Sequence, residues 1–327
     1  MSRSNNNLLW SEKYRPKDID NIIGQDNIVY SLKKMLENRS FPHLLFHGIS
    51  GTGKTSVIMA LARELYGKNL TFMVMKLDAS DDRGINSVRE EIKGFAEKIT
   101  IFNKGIKLII LDEADSMTFD AQFALRRIIE KYSDTTRFCL ICNYENKIIS
   151  AIKSRCANFR FNPIKEDFLI EKLNNIVKLE NIKINKKSLK IIAKLANGDF
   201  RKSINLLQST SLRSDNITED ICYDVAGIPS IKIIDKIYKI LTDDKYNFNK
   251  CYSIFNKKLN KGYSVSIILK ELINRIIKNI DNFEDDKLAK ILSELSDLES
   301  KVSKSTFGDI YLTSIISIFK SNLTNQK

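Results

Sequence analysis

The chain has little of the chemistry that builds small secreted or metal-held proteins. Its 327 residues carry only five cysteines and two histidines. Cys139 and Cys142 are spaced C-x-x-C, but they stand inside the apolar run Phe138-Cys-Leu-Ile-Cys142. No second C-x-x-C exists and neither histidine lies nearby. Buried strand cysteines are therefore expected in place of a zinc or redox centre. No apolar run approaches the ~20 residues that cross a bilayer, so no membrane partner is expected. The polar start Met1-Ser-Arg-Ser-Asn-Asn-Asn lacks the apolar core of a signal peptide, and an intracellular, soluble protein is expected. There is no internal repeat of fixed period, and no low-complexity tail beyond the Asn-rich start.

Hydrophobic residues make up 43% of the chain, enough for a packed globular protein. The length allows two or three domains with cores of their own. The formal net charge of +13 favours a polyanionic partner, most often nucleic acid. The joint richness in Lys, Asn and Ile is also what mutational bias in a genome produces, so charge alone leaves the partner open.

Residues 43–47, 71–77, 107–111, 136–142 and 157–161 read as strands, and 26–37, 54–66, 84–98, 118–132 and 147–153 as helices. Such alternation indicates a parallel sheet covered on both faces, with ligands beyond the carboxyl ends of the strands. His43 and His47, four apart on one strand, share a face, and core packing is expected of them. Past Pro163 only helices are expected: 165–180, 186–196, 199–213 and 218–226, then, after the Gly227-Ile-Pro229 break, 230–242, 247–260, 264–280, 285–302 and 306–320. In 264–280 the residues Val265, Ile268, Leu269, Leu272, Ile276 and Ile280 recur at helical spacing and read as core.

Residues 48–55, Gly-Ile-Ser-Gly-Thr-Gly-Lys-Thr, form a G-x-x-x-x-G-K-[ST] phosphate loop between strand and helix. Gly48, Gly51 and Gly53 let the backbone curl its N–H groups onto phosphate oxygens at a helix N-terminus. Lys54 carries charge to the β- and γ-phosphates, and Thr55 offers a hydroxyl to Mg²⁺. ATP and Mg²⁺ are the expected ligands. Downstream, Leu108-Ile-Ile-Leu-Asp-Glu-Ala-Asp115 delivers carboxylates at the end of a buried strand. Asp112 would hold Mg²⁺ and Glu113 would act as general base on the attacking water. Asp115 reads as a capping or solvated residue. Asn143 ends the next strand and reads either as a γ-phosphate contact or as a turn residue. Arg155, in Ser154-Arg-Cys156, suits phosphate oxygens, and no local pattern decides between its own nucleotide and a neighbour's. Arg201, in Gly198-Asp-Phe-Arg201, could lean onto the γ-phosphate. Gly198 alone reads as a helix stop and Asp199 as an N-cap.

These segments, together with Leu9-Trp-Ser-Glu-Lys-Tyr-Arg-Pro16 and Ala79-Ser-Asp-Asp-Arg-Gly-Ile85, occur in the order typical of clamp-loader small subunits. From about residue 8 to 327 the chain resembles the AAA+ ATPases of replication factor C. Tyr66-Gly-Lys-Asn, Ile101-Phe-Asn-Lys-Gly105 and Thr136-Arg-Phe-Cys139 look most like the eukaryotic subunit numbered 3 or 5 in different schemes. The fold class the resemblance implies is α/β: an AAA+ P-loop NTPase domain with a parallel five-stranded sheet over 1–162, a helical lid over 163–228 and an all-α C-terminal collar over 229–327.

The resemblance implies a nuclear heteropentamer with other replication factor C subunits. It would open a ring-shaped sliding clamp of the PCNA type and place it on primer–template DNA in replication and repair. Tyr14, Arg15, Ile22 and Ile23 match positions around the base and sugar, and Gly48, Ile49, Ser50, Gly51, Thr52, Gly53, Lys54, Thr55 and Ser56 the phosphate side. Asn143 matches sensor 1 and Arg201 sensor 2, and Arg155 matches the arginine finger that reaches the adjacent subunit's ATP. Arg83, Ile85, Arg89 and Lys147 would face DNA phosphates, and Phe95, Ile101 and Phe102 the clamp. The resemblance leaves room for a mainly structural subunit that binds ATP and lends Arg155 to its neighbour. Two positions depart from the family. Ile49-Ser50 replaces the usual Pro-Pro, which removes stiffness, and Ser11 stands where Val is common.

Overall fold

The computed structural model describes residues 9–38, 41–80, 85–98, 105–243, 245–259, 262–280, 283–305 and 310–323. The chain forms two compact units that divide between Asn216 and Ile217.

The first unit is built on five parallel strands, β1 (His43–Gly48), β2 (Val74–Asp78), β3 (Lys107–Asp112), β4 (Thr136–Cys142) and β5 (Cys156–Phe161), in the order β2-β3-β4-β1-β5. Successive strand residues point to opposite faces, and here both faces are apolar. Leu44, Phe46, Leu108, Ile110, Cys139 and Ile141 pack on one side with Ile58 and Leu61 of the helix Lys54–Tyr66. Leu45, Ile109, Leu111, Phe138, Leu140 and Cys142 pack on the other with Leu125 and Ile129 of the helix Phe119–Lys131. That double burial explains why these strands read as continuous apolar runs. The unit continues into helices Glu166–Leu179, Lys186–Ala196 and Phe200–Arg213, whose buried residues include Leu173, Ile192 and Leu207.

The second unit is helical: Glu219–Ala226, Ile231–Thr242, Phe248–Leu259, Val265–Ile277, Asp285–Lys304 and Tyr311–Leu323. Val265, Ile268, Leu269, Leu272 and Ile276 join one core with Ile291, Leu295, Ile315 and Phe319. Ser264 caps its helix by accepting from the Ile267 N–H at 3.3 Å. No helix among the described residues is long and apolar enough to cross a membrane.

Several expectations need correction. The run 71–77 begins as a helical turn, Leu70–Met73, and only Val74–Asp78 is strand; a short apolar run does not reveal its own period. Two-residue strands, Lys183–Ile184 and Asn216–Ile217, occur where only helices were expected. The expected helix 147–153 is a 3-10 turn, Glu145–Lys147, and a short helix, Ser150–Lys153, separated by extended Ile148 and Ile149. The Ile149 N–H is drawn off to Gln122 Oε1 at 2.9 Å. The helix from Val265 ends at Ile277, so Ile280 falls outside the buried stripe and is exposed.

Candidate nucleotide site

Gly48 closes β1, Asp112 closes β3, and Asn143 follows β4, so the three motifs meet at one edge of the sheet. Two glycines shape the loop between them. Gly48 has φ +141°, and a Cβ there would stand 2.3 Å from the Phe161 carbonyl oxygen of β5. Gly51 has φ +69°, and a Cβ would meet Asp199 Oδ1 at 1.7 Å. Without the prolines, the loop is tied by hydrogen bonds. Thr52 Oγ1 donates to the Ile49 carbonyl at 2.9 Å. Lys54 Nζ donates to the carbonyls of Gly48 at 2.8 Å and Ile49 at 2.9 Å, and to Asn143 Oδ1 at 3.0 Å. Lys54 is 7% exposed, and burial pulls its ammonium pKa below the usual lysine value.

The acidic side is equally local. Thr55 Oγ1 donates to Asp112 Oδ2 at 3.1 Å. A hydroxyl beside a carboxylate is the hard-oxygen donor set that suits Mg²⁺. Glu113 is exposed and left-handed, φ +54°, and its N–H donates to Asp112 Oδ1 at 3.2 Å. Asp115 does more than cap or meet solvent: its Oδ2 accepts from the backbone N–H groups of Asn143 at 3.3 Å and Tyr144 at 3.2 Å.

One cleft is lined by Tyr14, Arg15, Ile22, Ile23, residues 50–56, Asp112, Glu113, Asn143 and Arg201, with Ser11, Ile164, Phe200 and Ile204 among the remaining wall residues. Arg201 lies in the first turn of helix Phe200–Arg213, which Asp199 caps by accepting from the Lys202 N–H at 2.8 Å. The Phe200 N–H donates to the Gly51 carbonyl at 3.1 Å, so this helix starts against the phosphate loop. Gln25, which no sequence pattern singled out, is 4% exposed and donates to the carbonyls of Asn162 at 2.8 Å and Thr52 at 3.5 Å. Tyr14 Oη donates to Glu180, which also pairs with Lys13 at 2.6 Å.

Other expected site residues lie elsewhere. Arg155 is outside the cleft wall: its guanidinium pairs with Glu130 at 2.6 Å and donates to the Ala151 carbonyl at 2.6 Å. Lys147 is exposed, with its ammonium 5.3 Å from the centre of the Tyr144 ring. Phe95 is half-buried against the core, and its carbonyl accepts from Lys107 Nζ at 2.7 Å. Ile85 and Arg89 stand on the helix Ile85–Glu97, with their side chains outside what is described; Arg83, Ile101 and Phe102 lie outside the described residues. Cys139 and Cys142 are free and buried, and burial pushes the Cys142 thiol up to about 12. Among the described residues no group of three or more His, Cys, Asp or Glu could hold a metal ion.

Comparison with known proteins matches this architecture piece by piece. The family model described as "ATPase family associated with various cellular activities (AAA)" matches residues 44–164. An "RCF1/5-like, AAA+ ATPase lid domain" matches 171–212, and a "Replication factor C C-terminal domain" matches 229–317. Probable replication factor C subunit 5 of Dictyostelium discoideum is 44% identical over 96% of this chain and 90% of its own length. Replication factor C subunit 3 of Saccharomyces cerevisiae is 40% identical over 99% of this chain and 96% of its own. A solved Thermotoga maritima RuvB, a Holliday junction branch migration motor, matches with a TM-score of 0.51 at 20% identity over 79% of this chain and 90% of that one. At that identity it shows the fold alone. With a motif-lined cleft at the carboxyl edge of its sheet and near-full-length likeness to subunits 3 and 5, the chain belongs to the replication factor C family, as a small clamp-loader subunit and AAA-type ATPase.

Proposed function

We propose that the chain binds ATP with Mg²⁺ in this cleft and hydrolyses it within a nuclear heteropentamer that loads a sliding clamp onto primer–template DNA. The observation that supports this most directly is the meeting of Lys54, Thr55, Asp112, Glu113 and Asn143 at the carboxyl ends of β1, β3 and β4. Lys54 is preloaded on Asn143 and two loop carbonyls, so its ammonium is already aimed along the loop where phosphates bind. The N–H groups at the start of helix Lys54–Tyr66 add partial positive charge. Thr55 and Asp112 would hold Mg²⁺. When bound, that ion offsets charge building on the phosphoryl oxygens.

Glu113 takes the proton of the attacking water, and its left-handed backbone turns it away from the strand that delivers Asp112. Asn143 positions the water and the γ-phosphate, with its backbone held by Asp115. Arg201 answers to the nucleotide from the lid helix. Tyr14, Arg15, Ile22 and Ile23 surround base and sugar. Arg155, which does not line its own cleft, serves the neighbouring subunit's ATP. Arg83, Ile85, Arg89 and Lys147 meet DNA phosphates, and Phe95, Ile101 and Phe102 the clamp. The working divisions are 1–162, 163–228 and 229–327.

Glu113→Gln tests the catalytic reading. It keeps size and hydrogen bonding but cannot take a proton. Turnover at this site is expected to fall by about 10²–10⁴-fold with nucleotide binding retained. An unchanged rate in the assembled complex would instead favour the structural subunit that lends Arg155 to its neighbour.

A further inference from the structure

Asp112 is approached by a cation that no motif supplies. Lys76 lies in β2, whose register pairs Lys76 with Ile110 and Asp78 with Asp112 of β3. Alternation places Lys76 and Asp112 on the same face of the sheet, offset by two residues along the strands. The lysine stem spans that offset, and its Nζ stands 3.2 Å from Asp112 Oδ2. This is the same oxygen that accepts from Thr55 Oγ1 at 3.1 Å, while Oδ1 accepts from the Glu113 N–H at 3.2 Å. The carboxylate thus meets three donors, two of them on Oδ2. Two of them, the hydroxyl and the amide, are neutral and compatible with a bound metal, since the Thr55 oxygen keeps lone pairs while its proton is donated. The ammonium alone carries a charge that opposes a divalent ion. It also stands in for one, showing that this face of Asp112 accepts a cation.

We propose that Lys76 is a resident counter-cation of the metal-binding carboxylate, which Mg²⁺ must displace, so that it sets the Mg²⁺ concentration the site requires. The inference rests on the reading of Thr55 and Asp112 as the Mg²⁺ pair. Lys76 is well exposed, so solvent and salt screen the repulsion and limit its size.

The test is a Mg²⁺ titration of N-methylanthraniloyl-ATP binding to the full-length chain, with EDTA as the metal-free baseline. Lys76→Met, which keeps the stem and removes the charge, is expected to lower the Mg²⁺ midpoint about three- to tenfold. Lys76→Arg, which keeps the charge, is expected to stay within about twofold of the wild type. A Lys76→Met midpoint equal to or above the wild type overturns the proposal. Asp112→Asn separates the two layers. If it leaves the midpoint unmoved, the metal reading has failed together with the inference. If it raises the midpoint while Lys76→Met does not lower it, only the role of Lys76 is lost.

Discussion

Asp115 ties two motifs that are far apart in sequence. Its Oδ2 accepts from the Asn143 and Tyr144 N–H groups, so a carboxylate just past β3 fixes the end of β4 and with it the amide that Lys54 touches. Asp115→Ala is expected to cost about 1 kcal/mol of stability and, by loosening Asn143, to lower ATP turnover about tenfold. Asp115→Asn keeps an acceptor and should lose less of both. Thermal melts and steady-state hydrolysis of the two variants check this. His43 offers a second test at the same scale. Its Nδ1 accepts from the Phe138 N–H at 3.2 Å, and burial pulls its pKa down to about 4, helped by Arg137. The folded state thus holds a neutral ring, while the unfolded chain takes up a proton near pH 6.5. The associated stability is complete above that pH and is lost as pH falls from 6.5 toward 4, by about 1–3 kcal/mol once solvent screening of the half-buried ring is allowed for. His43→Asn keeps an acceptor without the titrating ring. Its unfolding free energy in denaturant should show a flatter slope across that window than the wild type.

At the scale of elements, side-chain caps fix where several helices begin. Helices Lys186–Ala196, Phe200–Arg213 and Val265–Ile277 start at Asn185, Asp199 and Ser264, whose side chains accept from the first turn. The phosphate loop is the element where local and distant demands meet. Gly51 must be left-handed, and it must also lack a side chain, because Asp199 occupies the space above it. Gly51→Ala is expected to cost about 1–3 kcal/mol and to displace the start of helix Phe200–Arg213, carrying Arg201 away from the cleft. Asp199→Ala, which clears the space but removes the cap, should cost about 1 kcal/mol. If both variants melt alike and bind nucleotide like the wild type, the contact has no consequence.

For the whole molecule, the matched segments cover the nucleotide domain, the lid and the C-terminal domain of one family. The surplus of positive charge, +13, is consistent with DNA as a partner. A tagged chain purified gently from its own cells is expected to bring four other AAA-type chains in equal amounts. Recovery of a homo-oligomer or a lone monomer would sink the pentamer. On the proposed function, primer–template DNA is expected to raise ATP hydrolysis, and that rise to weaken steeply between about 50 and 200 mM salt, because each phosphate contact releases counterions.

The sequence by itself determined what depends on neighbours within a few positions. Short apolar runs alternating with helical patterns placed the strands, with β2 read as starting three residues early, helical patterns placed most helices, and the loop 48–55 and the acids after β3 announced a nucleotide site. What only the tertiary structure decided are contacts between residues far apart along the chain. These are Asp115 on the end of β4, Gln25 under the phosphate loop, Glu180 on Tyr14, Glu130 on Arg155 and Lys76 on Asp112. Such pairs carry no periodicity and no fixed spacing. The strand order β2-β3-β4-β1-β5 brings motifs of distant segments to one edge, and only there does a given carboxylate acquire the neighbours that define its chemistry.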